Sequence, residues 1–247
     1  MRPRFFFPGA RAGGVDWLPD EEGRHLTHVL RLGLGELVGV FDGEGREYIA
    51  RVEAISHGRA SVRPIARVEA VAEPVGRLTL AQAVLKTDSM SVVIRDAVML
   101  GVSTIRPIVT TRANMIGKVR GRPGNLVRWR RVASSSAKQC GRAKIPEISP
   151  MIDFESFIKE PGDECRLILV EPSADISGRC SPYVLREGKI PNAVTVVVGP
   201  NGGWTDDEVL LAIANGFRPV RLGRLTLRAE VVPSVVLSVI QFCLGEL

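Results

Sequence analysis

A glycine-rich segment near the C-terminus has the residue types of a ligand-binding loop. The aliphatic run AVTVVV is followed by GPNGG, which comprises Gly199, Pro200, Asn201, Gly202 and Gly203. In open α/β sheets ligands bind at the carboxyl ends of strands, and glycine lets the backbone approach them closely. The segment matches neither a Walker A loop nor the GxGxxG of a dinucleotide site. It indicates either a small-molecule loop or a tight strand-to-helix turn.

Two further segments place polar groups near aliphatic residues. LGRLTLRAE holds Arg228 and Glu230 among leucines, and LILVEP places Glu171 after a strand-like run. An apolar wall with polar groups at its rim suits a small organic ligand. The alternative for Arg228 and Glu230 is a structural ion pair. If the chain forms one α/β domain here, the three segments converge at the same edge of the sheet.

The predicted secondary structure that must position these segments changes in type near residue 72. Before it, ELVGVFDG, EYIARVEAI and ASVRPIARV predict short strands, and EEGRHLTHVLRLGLGE predicts a helix that Gly33 and Gly35 end. After it, strands alternate with helices, which predicts an α/β domain. Asp88 is predicted to cap one helix, and Thr205 with Glu208 has the spacing of a capping box. We predict domains at 1–72 and 73–247.

Bulk composition limits the classes of function. The formal net charge is +6, which indicates either an anionic partner such as nucleic acid or ordinary solvated charges. His25 and His28 have ligand spacing without a third ligand, so we expect no metal. No run approaches a membrane span. The sequence predicts a soluble cytoplasmic protein, since the scattered cysteines fit a reducing compartment and are Cys140, Cys165, Cys180 and Cys243.

The order and spacing of these segments resemble the RsmE family of small-subunit rRNA uridine-N3 methyltransferases. The resemblance rests on GPNGGWTDDE followed by LGRLTLRAE, on RHLTHVLRLGLGE and VFDGEGREY, and on RWRRVASSSAKQCGRAKIPEI. It covers nearly the whole chain. It implies a C-terminal SPOUT-type domain with a mostly parallel sheet and a trefoil knot. It also implies a small N-terminal PUA-like β-barrel domain that binds RNA.

The resemblance implies S-adenosyl-L-methionine as cofactor, bound largely by backbone groups of the knot. It also implies 16S rRNA or the small ribosomal subunit as partner, 3-methyluridine as product and a homodimer whose contact includes the final helix. The implied cofactor-binding residues are Leu169, Val170, Glu171, Val198, Gly199, Pro200, Asn201, Gly202, Gly203, Leu222, Gly223, Leu225, Leu227 and Arg228.

Methylation of uracil N3 removes an imide proton and builds negative charge on the base, so a nearby cation stabilises the transition state. We assign that role to Arg228 and expect Glu230 to orient it, so both are the predicted catalytic residues. Basic residues predicted to contact RNA phosphates, each with a solvated surface charge as the alternative, are Arg24, His28, Arg31, Arg131, Lys138 and Arg142.

The chain departs from the family at two places. The family has GPEGG where this chain has Asn201, and RxETA where it has Val231 and Val232 after Glu230. Asparagine forms hydrogen bonds but carries no negative charge. The alternative function is therefore a knotted RNA-binding protein with weakened or lost methyl transfer. An α/β enzyme with a nucleotide cofactor has less support, because the chain lacks a phosphate-loop motif. Transfer to a non-RNA substrate is the remaining alternative, but it would leave the basic N-terminal unit without a purpose.

Overall fold

The computed structural model describes residues 2–113, 124–163, 165–172 and 191–247. Cys180 lies outside these residues. The chain forms two compact units, and the first of them is discontinuous in sequence. The first unit comprises Met1–Glu73 with Ser134–Ile145, and the second comprises Pro74–Ala133 with Pro146–Leu247.

A five-stranded sheet forms the first unit. The three longest strands are those that the sequence predicts, and β1 and β2 are additional short strands. The sheet order is β1-β3-β4-β5-β2, with β1 and β3 parallel and the other pairs antiparallel. Alternate β4 residues are buried, as in a strand with one face on the core. The strands are β1 (Arg4–Phe6), β2 (Asp16–Trp17), β3 (Leu37–Phe41), β4 (Glu47–Ser56) and β5 (Arg59–Val68).

The helix of the first unit is shorter than the sequence predicts. Helix α1 (Asp20–Arg24) continues into a π-helical turn at His25–Val29. Arg31 then has φ +55°, which is a left-handed conformation incompatible with helix continuation. The prediction that Gly33 and Gly35 end the helix is therefore wrong. The carbonyl of His25 already accepts from the Leu30 amide at 3.0 Å, which closes the last turn.

Ion pairs explain why residues 134–145 belong to the first unit. Lys138 Nζ donates to both carboxylate oxygens of Glu22, at 2.9 and 3.1 Å, and both side chains are largely buried. Arg142 is 7% exposed and binds the Glu73 carboxylate. Because breaking a buried pair leaves an uncompensated charge, these contacts tie the two sequence segments together.

A buried carboxylate in the first unit gives its stability a pH dependence. Burial by itself would raise the pKa of Asp42. The amide N–H groups of Glu44 and Arg46 and the Arg46 guanidinium bind the carboxylate, and they hold its pKa below the ordinary value. A depressed folded-state pKa stabilises the native state above the unfolded pKa of about 3.9, and this stabilisation is lost as pH falls through the folded pKa.

We expect Asp42→Asn to lower the free energy of unfolding at pH 7 by about 1–3 kcal/mol, because two amides and a guanidinium lose a charged acceptor. The difference from wild type should begin to shrink below about pH 4, where the unfolded carboxyl is protonated, and should vanish below the folded-state pKa, where the native carboxyl is protonated too. Urea denaturation between pH 7 and pH 2.5 measures both effects. Glu44→Gln, at an exposed carboxylate beside the same arginine, is the control and should change stability little. A constant difference across the pH range contradicts the assignment.

The described part of the second unit is built around a parallel sheet of seven strands. Its order is β12-β10-β11-β6-β7-β8, and β9 also pairs with β7. All these pairings are parallel, so the carboxyl ends lie along one edge. The predicted aliphatic runs form β10 and β11. The strands are β6 (Arg77–Ala83), β7 (Thr104–Val109), β8 (Glu147–Ile148), β9 (Ile152–Asp153), β10 (Cys165–Leu169), β11 (Ala193–Val198) and β12 (Arg218–Val220).

Helices follow most of these strands, as predicted for an α/β domain. The Thr205–Glu208 capping box is present at the start of α5. The predicted cap at Asp88 is wrong: Lys86 occupies the N-cap position without a side-chain cap bond, and Asp88 lies in the first turn. The helices are α2 (Thr87–Met99), α3 (Gly124–Cys140), α4 (Phe154–Lys159), α5 (Asp206–Ala214) and α6 (Val232–Leu244).

One face of this sheet packs against α4 and α5. Ala81, Ile168 and Val197 from three neighbouring strands contact Phe154 of α4 and Val209 of α5 in one buried cluster. Because both elements bury apolar faces here, the carboxyl ends of β10 and β11 are held at fixed positions. The α/β class with a parallel sheet is confirmed. The knot stays a prediction.

Candidate functional site

A cavity of about 260 Å³ lies at the carboxyl edge of the second unit's sheet. Three segments line it: the end of β10 with the residues after it, the glycine-rich loop after β11, and the loop that leads into α6. These are the three segments that the sequence singles out. Its lining residues are Leu169, Val170, Glu171, Pro172, Val198, Gly199, Pro200, Asn201, Gly203, Trp204, Leu222, Leu225, Thr226, Leu227, Arg228, Ala229 and Val232.

The glycine-rich loop turns tightly at the end of β11. The Gly203 amide donates to the Pro200 carbonyl at 2.9 Å. Gly203 has φ +68°, a backbone conformation that residues with a Cβ rarely adopt. A Cβ on Gly203 would lie 2.6 Å from Glu171 Oε1. The Glu171 carboxylate therefore contacts the loop backbone directly, which is possible only next to a glycine.

Trp204 joins two walls of the cavity. Its indole Nε1–H donates to the carbonyl of Leu169, the last residue of β10, at 2.7 Å. Its ring also packs so closely on Gly199, the first residue after β11, that a Cβ there would lie 2.9 Å from Trp204 Cε2. The ring is 9% exposed and packs on Phe154 at 5.0 Å between centroids. One rigid side chain thus sets the spacing of two strand ends.

The buried carboxylate of Glu208 fixes the other end of the same loop. It accepts hydrogen bonds from the Thr205 amide at 2.9 Å and from the Thr111 amide at 2.8 Å. Glu208 is 7% exposed, so these bonds are formed away from bulk water and their loss leaves a buried charge unsatisfied. Glu208 therefore holds the start of α5 next to Thr111, two residues after the end of β7.

The loop before α6 places Arg228 at the cavity and Glu230 beside it. Arg228 is exposed and lines the cavity, whereas Glu230 is half-buried and does not line it. Glu230 Oε2 is buried, and no hydrogen-bond partner for it exists in the described part of the chain. Among those residues no ion pair joins Arg228 to Glu230. The structure therefore shows neither the predicted orientation of Arg228 by Glu230 nor the alternative structural ion pair.

Most of the predicted cofactor-binding residues lie together at the cavity, but Gly202 and Gly223 do not line it. Gly202 faces Arg112 instead, whose Nη1 donates to its carbonyl at 2.7 Å. Sequence reasoning missed lining residues that adjoin the predicted ones along the chain. The aromatic residue directly after GPNGG was the available signal for one of them. The missed residues are Pro172, Trp204, Thr226, Ala229 and Val232.

The predicted RNA-contacting residues divide into two groups. Arg24, His28, Arg31 and Arg131 are exposed. Lys138 and Arg142 are instead engaged by Glu22 and Glu73 inside the first unit, so a phosphate contact by either would require its ion pair to open.

The indole N–H of Trp204 provides a test of this site. We expect Trp204→Phe to weaken cofactor binding by about tenfold, since the buried Leu169 carbonyl loses its donor and the spacing of two strand ends relaxes. Trp129→Phe is the matched control, because Trp129 is 3% exposed and lies in α3 away from the cavity. Calorimetric titration with S-adenosylmethionine measures both. Equal losses in the two variants would contradict a positioning role for Trp204.

Two searches of the described residues gave negative results. No group of three or more His, Cys, Asp or Glu side chains in that part of the chain is arranged to hold a metal ion. None of its helices is long and apolar enough to cross a membrane.

Similar proteins identify the family. The RNA methyltransferase domain family matches residues 71–241, and the RNA methyltransferase PUA domain family matches residues 18–65. Ribosomal RNA small subunit methyltransferase E from Synechocystis is 32% identical, over 87% of this chain and 68% of that protein. The enzyme of the same name from Mycobacterium tuberculosis is 30% identical, over 92% of this chain and 89% of that protein.

A solved structure agrees with these sequence relatives. Ribosomal RNA small subunit methyltransferase E from Neisseria gonorrhoeae, crystallised bound to S-adenosyl methionine, is 30% identical and covers 98% of both chains with a TM-score of 0.84. The chain therefore belongs to the ribosomal RNA small subunit methyltransferase E family, with an N-terminal PUA domain followed by an RNA methyltransferase domain.

Proposed function

We propose that this protein transfers the methyl group of S-adenosyl-L-methionine to N3 of a uridine in 16S rRNA. The observation that carries the proposal is the cavity at the carboxyl edge of the parallel sheet, built from three segments, two of which carry the family resemblance. The solved relative from Neisseria gonorrhoeae, which was crystallised with that cofactor, supports the choice of methyl donor.

The residues at the cavity fit the proposed cofactor. Leu169, Leu222 and Leu227 give apolar walls for a flat base, and the absence of a Cβ at Gly199 lets the Trp204 ring pack there and line the cavity as well. Glu171 supplies a carboxylate that can accept hydrogen bonds from ribose hydroxyls. When bound, the cofactor supplies an electrophilic methyl group on a positively charged sulfur. We assign its binding to these residues and to Gly199, Pro200 and Gly203.

Arg228 is the proposed catalytic residue. Its exposed guanidinium lines the cavity and offers a planar, positively charged group there. Placed beside a uracil that loses its N3 proton, it stabilises the charge that develops on the base oxygens. Glu230 lacks a direct ion pair to it, so in the proposal its buried carboxylate acts through the backbone turn before α6 rather than through the guanidinium.

The side chains that depart from the family pattern motivate the second candidate function. Asn201 and Val232 both line the cavity, and Asn201 supplies no negative charge there. If that charge is required for turnover, the protein binds RNA and cofactor but transfers methyl groups slowly or not at all.

The proposal extends to the domains and the partners. Residues 1–72 form the PUA-like RNA-binding domain and residues 73–247 the knotted methyltransferase domain. Exposed basic residues, including Arg24, His28, Arg31 and Arg131, contact RNA phosphates in the cytoplasm. We also propose a homodimer through α6, because this helix and the loop before it expose large apolar side chains that a partner would cover. These side chains are Leu225, Val231 and Phe242.

Mass spectrometry of 16S rRNA nucleosides from cells with and without the protein tests the function. The proposal expects 3-methyluridine to disappear when the protein is absent and to return when purified protein and S-adenosylmethionine are added to the small subunits. Unchanged 3-methyluridine contradicts the assigned product. Calorimetry then separates the two candidates: cofactor binding without methyl transfer supports the RNA-binding alternative.

A further inference from the structure

Arg112 lies beside the glycine-rich loop but outside the cavity. It follows β7, and its Nη1 donates to the Gly202 carbonyl at 2.7 Å. Its side chain runs along the loop, since a Cβ on Gly202 would lie 3.4 Å from Arg112 Cβ and 3.6 Å from Cδ. Gly199, Pro200, Asn201 and Gly203 line the cavity and Gly202 does not. The loop therefore presents one side to the cavity and its Gly202 carbonyl to an arginine.

The backbone around Arg112 is held in place. The amide of the preceding residue, Thr111, donates to the buried Glu208 carboxylate at 2.8 Å. The amide of the following residue, Ala113, donates to Thr110 Oγ1 at 3.3 Å. With the backbone held on both flanks and Nη1 bonded to the Gly202 carbonyl, the arginine loses less conformational freedom when it binds a ligand, which lowers the entropic cost of binding.

The guanidinium of Arg112 is exposed, and no described carboxylate lies within ion-pair distance of it. Four other arginines of the same unit do have such partners. The ion pairs are Arg77–Asp163, Arg95–Asp96, Arg106–Glu160 and Arg128–Asp88. A guanidinium has five N–H donors in a planar fork, and the Gly202 carbonyl engages one nitrogen. The remaining donors match the geometry of a phosphate group, which arginine binds in bidentate fashion.

We propose that Arg112 binds a backbone phosphate of the RNA substrate next to the nucleotide that enters the cavity. The inference rests on the proposed function and adds a substrate contact to it. Because the same guanidinium bonds to the glycine-rich loop, the phosphate is fixed relative to the cofactor-binding backbone. The substrate strand is thereby positioned by the loop that forms one wall of the cavity.

Arg112→Gln tests the contact, because glutamine keeps a polar, unbranched side chain at this position but removes the charge. The probe is in vitro transcribed 16S rRNA, titrated at several salt concentrations. We expect the dissociation constant for RNA to rise about tenfold. We also expect the slope of log affinity against log salt to fall by about one. Calorimetry should show an affinity for S-adenosylmethionine within about twofold of wild type, since neither Arg112 nor Gly202 lines the cavity.

Arg95→Gln is the matched control, because it removes one exposed arginine of the same unit from a position in α2. RNA affinity and salt slope that are the same in Arg112→Gln and Arg95→Gln overturn the inference. An Arg112→Gln protein that loses cofactor affinity as strongly as RNA affinity also overturns it, because Arg112 would then only brace the loop. If the wild-type protein fails to methylate small subunits, the proposed function fails, while the RNA titrations still decide the Arg112 contact.

Discussion

Replacing Gly199 by alanine is expected to weaken S-adenosylmethionine binding by about tenfold to a hundredfold. The new Cβ would lie 2.9 Å from Trp204 Cε2 and 3.0 Å from Nε1. The indole is buried against Phe154 and bonded to the Leu169 carbonyl, so the ring cannot swing away cheaply. Overpacking of this kind costs about 1–3 kcal/mol, and here the strain falls on two walls of the cavity.

Gly202→Ala is the matched control within the same loop. Its Cβ meets Arg112 atoms only at ordinary contact distance, 3.4 Å and beyond, and Gly202 does not line the cavity. We expect its cofactor affinity to stay within about twofold of wild type by calorimetry. Thermal unfolding of both variants checks that the fold is intact. The interpretation is wrong if Gly199→Ala binds the cofactor normally, or if both variants lose affinity equally.

Arg228→Ala is expected to lower kcat for rRNA methylation by about a hundredfold or more, which is the usual loss when a group that stabilises transition-state charge is removed. The physical reason is that alanine removes the guanidinium that lines the cavity, which the proposed function assigns to the developing uracil anion. Single-turnover transfer of a labelled methyl group to small ribosomal subunits, at saturating cofactor, isolates the chemical step from binding.

Arg224→Ala controls for loss of charge in that loop, because Arg224 is also exposed but does not line the cavity. It should keep kcat near the wild-type value. Arg228→Lys adds a second comparison, since lysine keeps the charge without the planar fork, and partial recovery would identify charge as the main contribution. Methyl transfer at the wild-type rate by Arg228→Ala would remove this residue from the mechanism.

Local sequence patterns predicted the parts of the fold that depend on local physics. The runs RLILV and AVTVVV are buried on a parallel sheet, as continuous aliphatic strands must be. Thr205 and Glu208 form the capping box that their spacing indicates. The capping box joins residues that are close in sequence. The aliphatic strands only require that each of their residues be apolar enough to be buried.

Features that depend on distant contacts escaped prediction. Strand β1 is three residues long and forms only because it pairs with β3, and no short sequence window contains that information. Lys138 and Arg142 belong to a basic stretch and were predicted to contact RNA, yet carboxylates from the first 73 residues engage them. A charge pattern cannot distinguish a solvated cation from one with a partner more than 60 residues away.

In the candidate site, too, the features set by local sequence were predictable and those set by distant contacts were not. The backbone-built part was predictable because glycines at a strand end mark a close approach of the chain. The side-chain part was not predictable. The indole of Trp204 donates to the carbonyl of Leu169 at the end of β10, and only tertiary packing brings these two residues together. Sequence proximity suggested a direct contact between Glu230 and Arg228, but Glu230 Oε2 is buried without a hydrogen-bond partner among the described residues.

The discontinuous first unit has a consequence for the order of events during protein synthesis. Its second segment ends at Ile145, whereas its first ends at Glu73, so about 72 further residues must be translated before the unit can be completed. At roughly 5–20 residues per second this delay is about 4–14 s. During that time Glu22 and Glu73 have not yet met Lys138 and Arg142. The N-terminal unit therefore completes its folding only after part of the catalytic domain has left the ribosome.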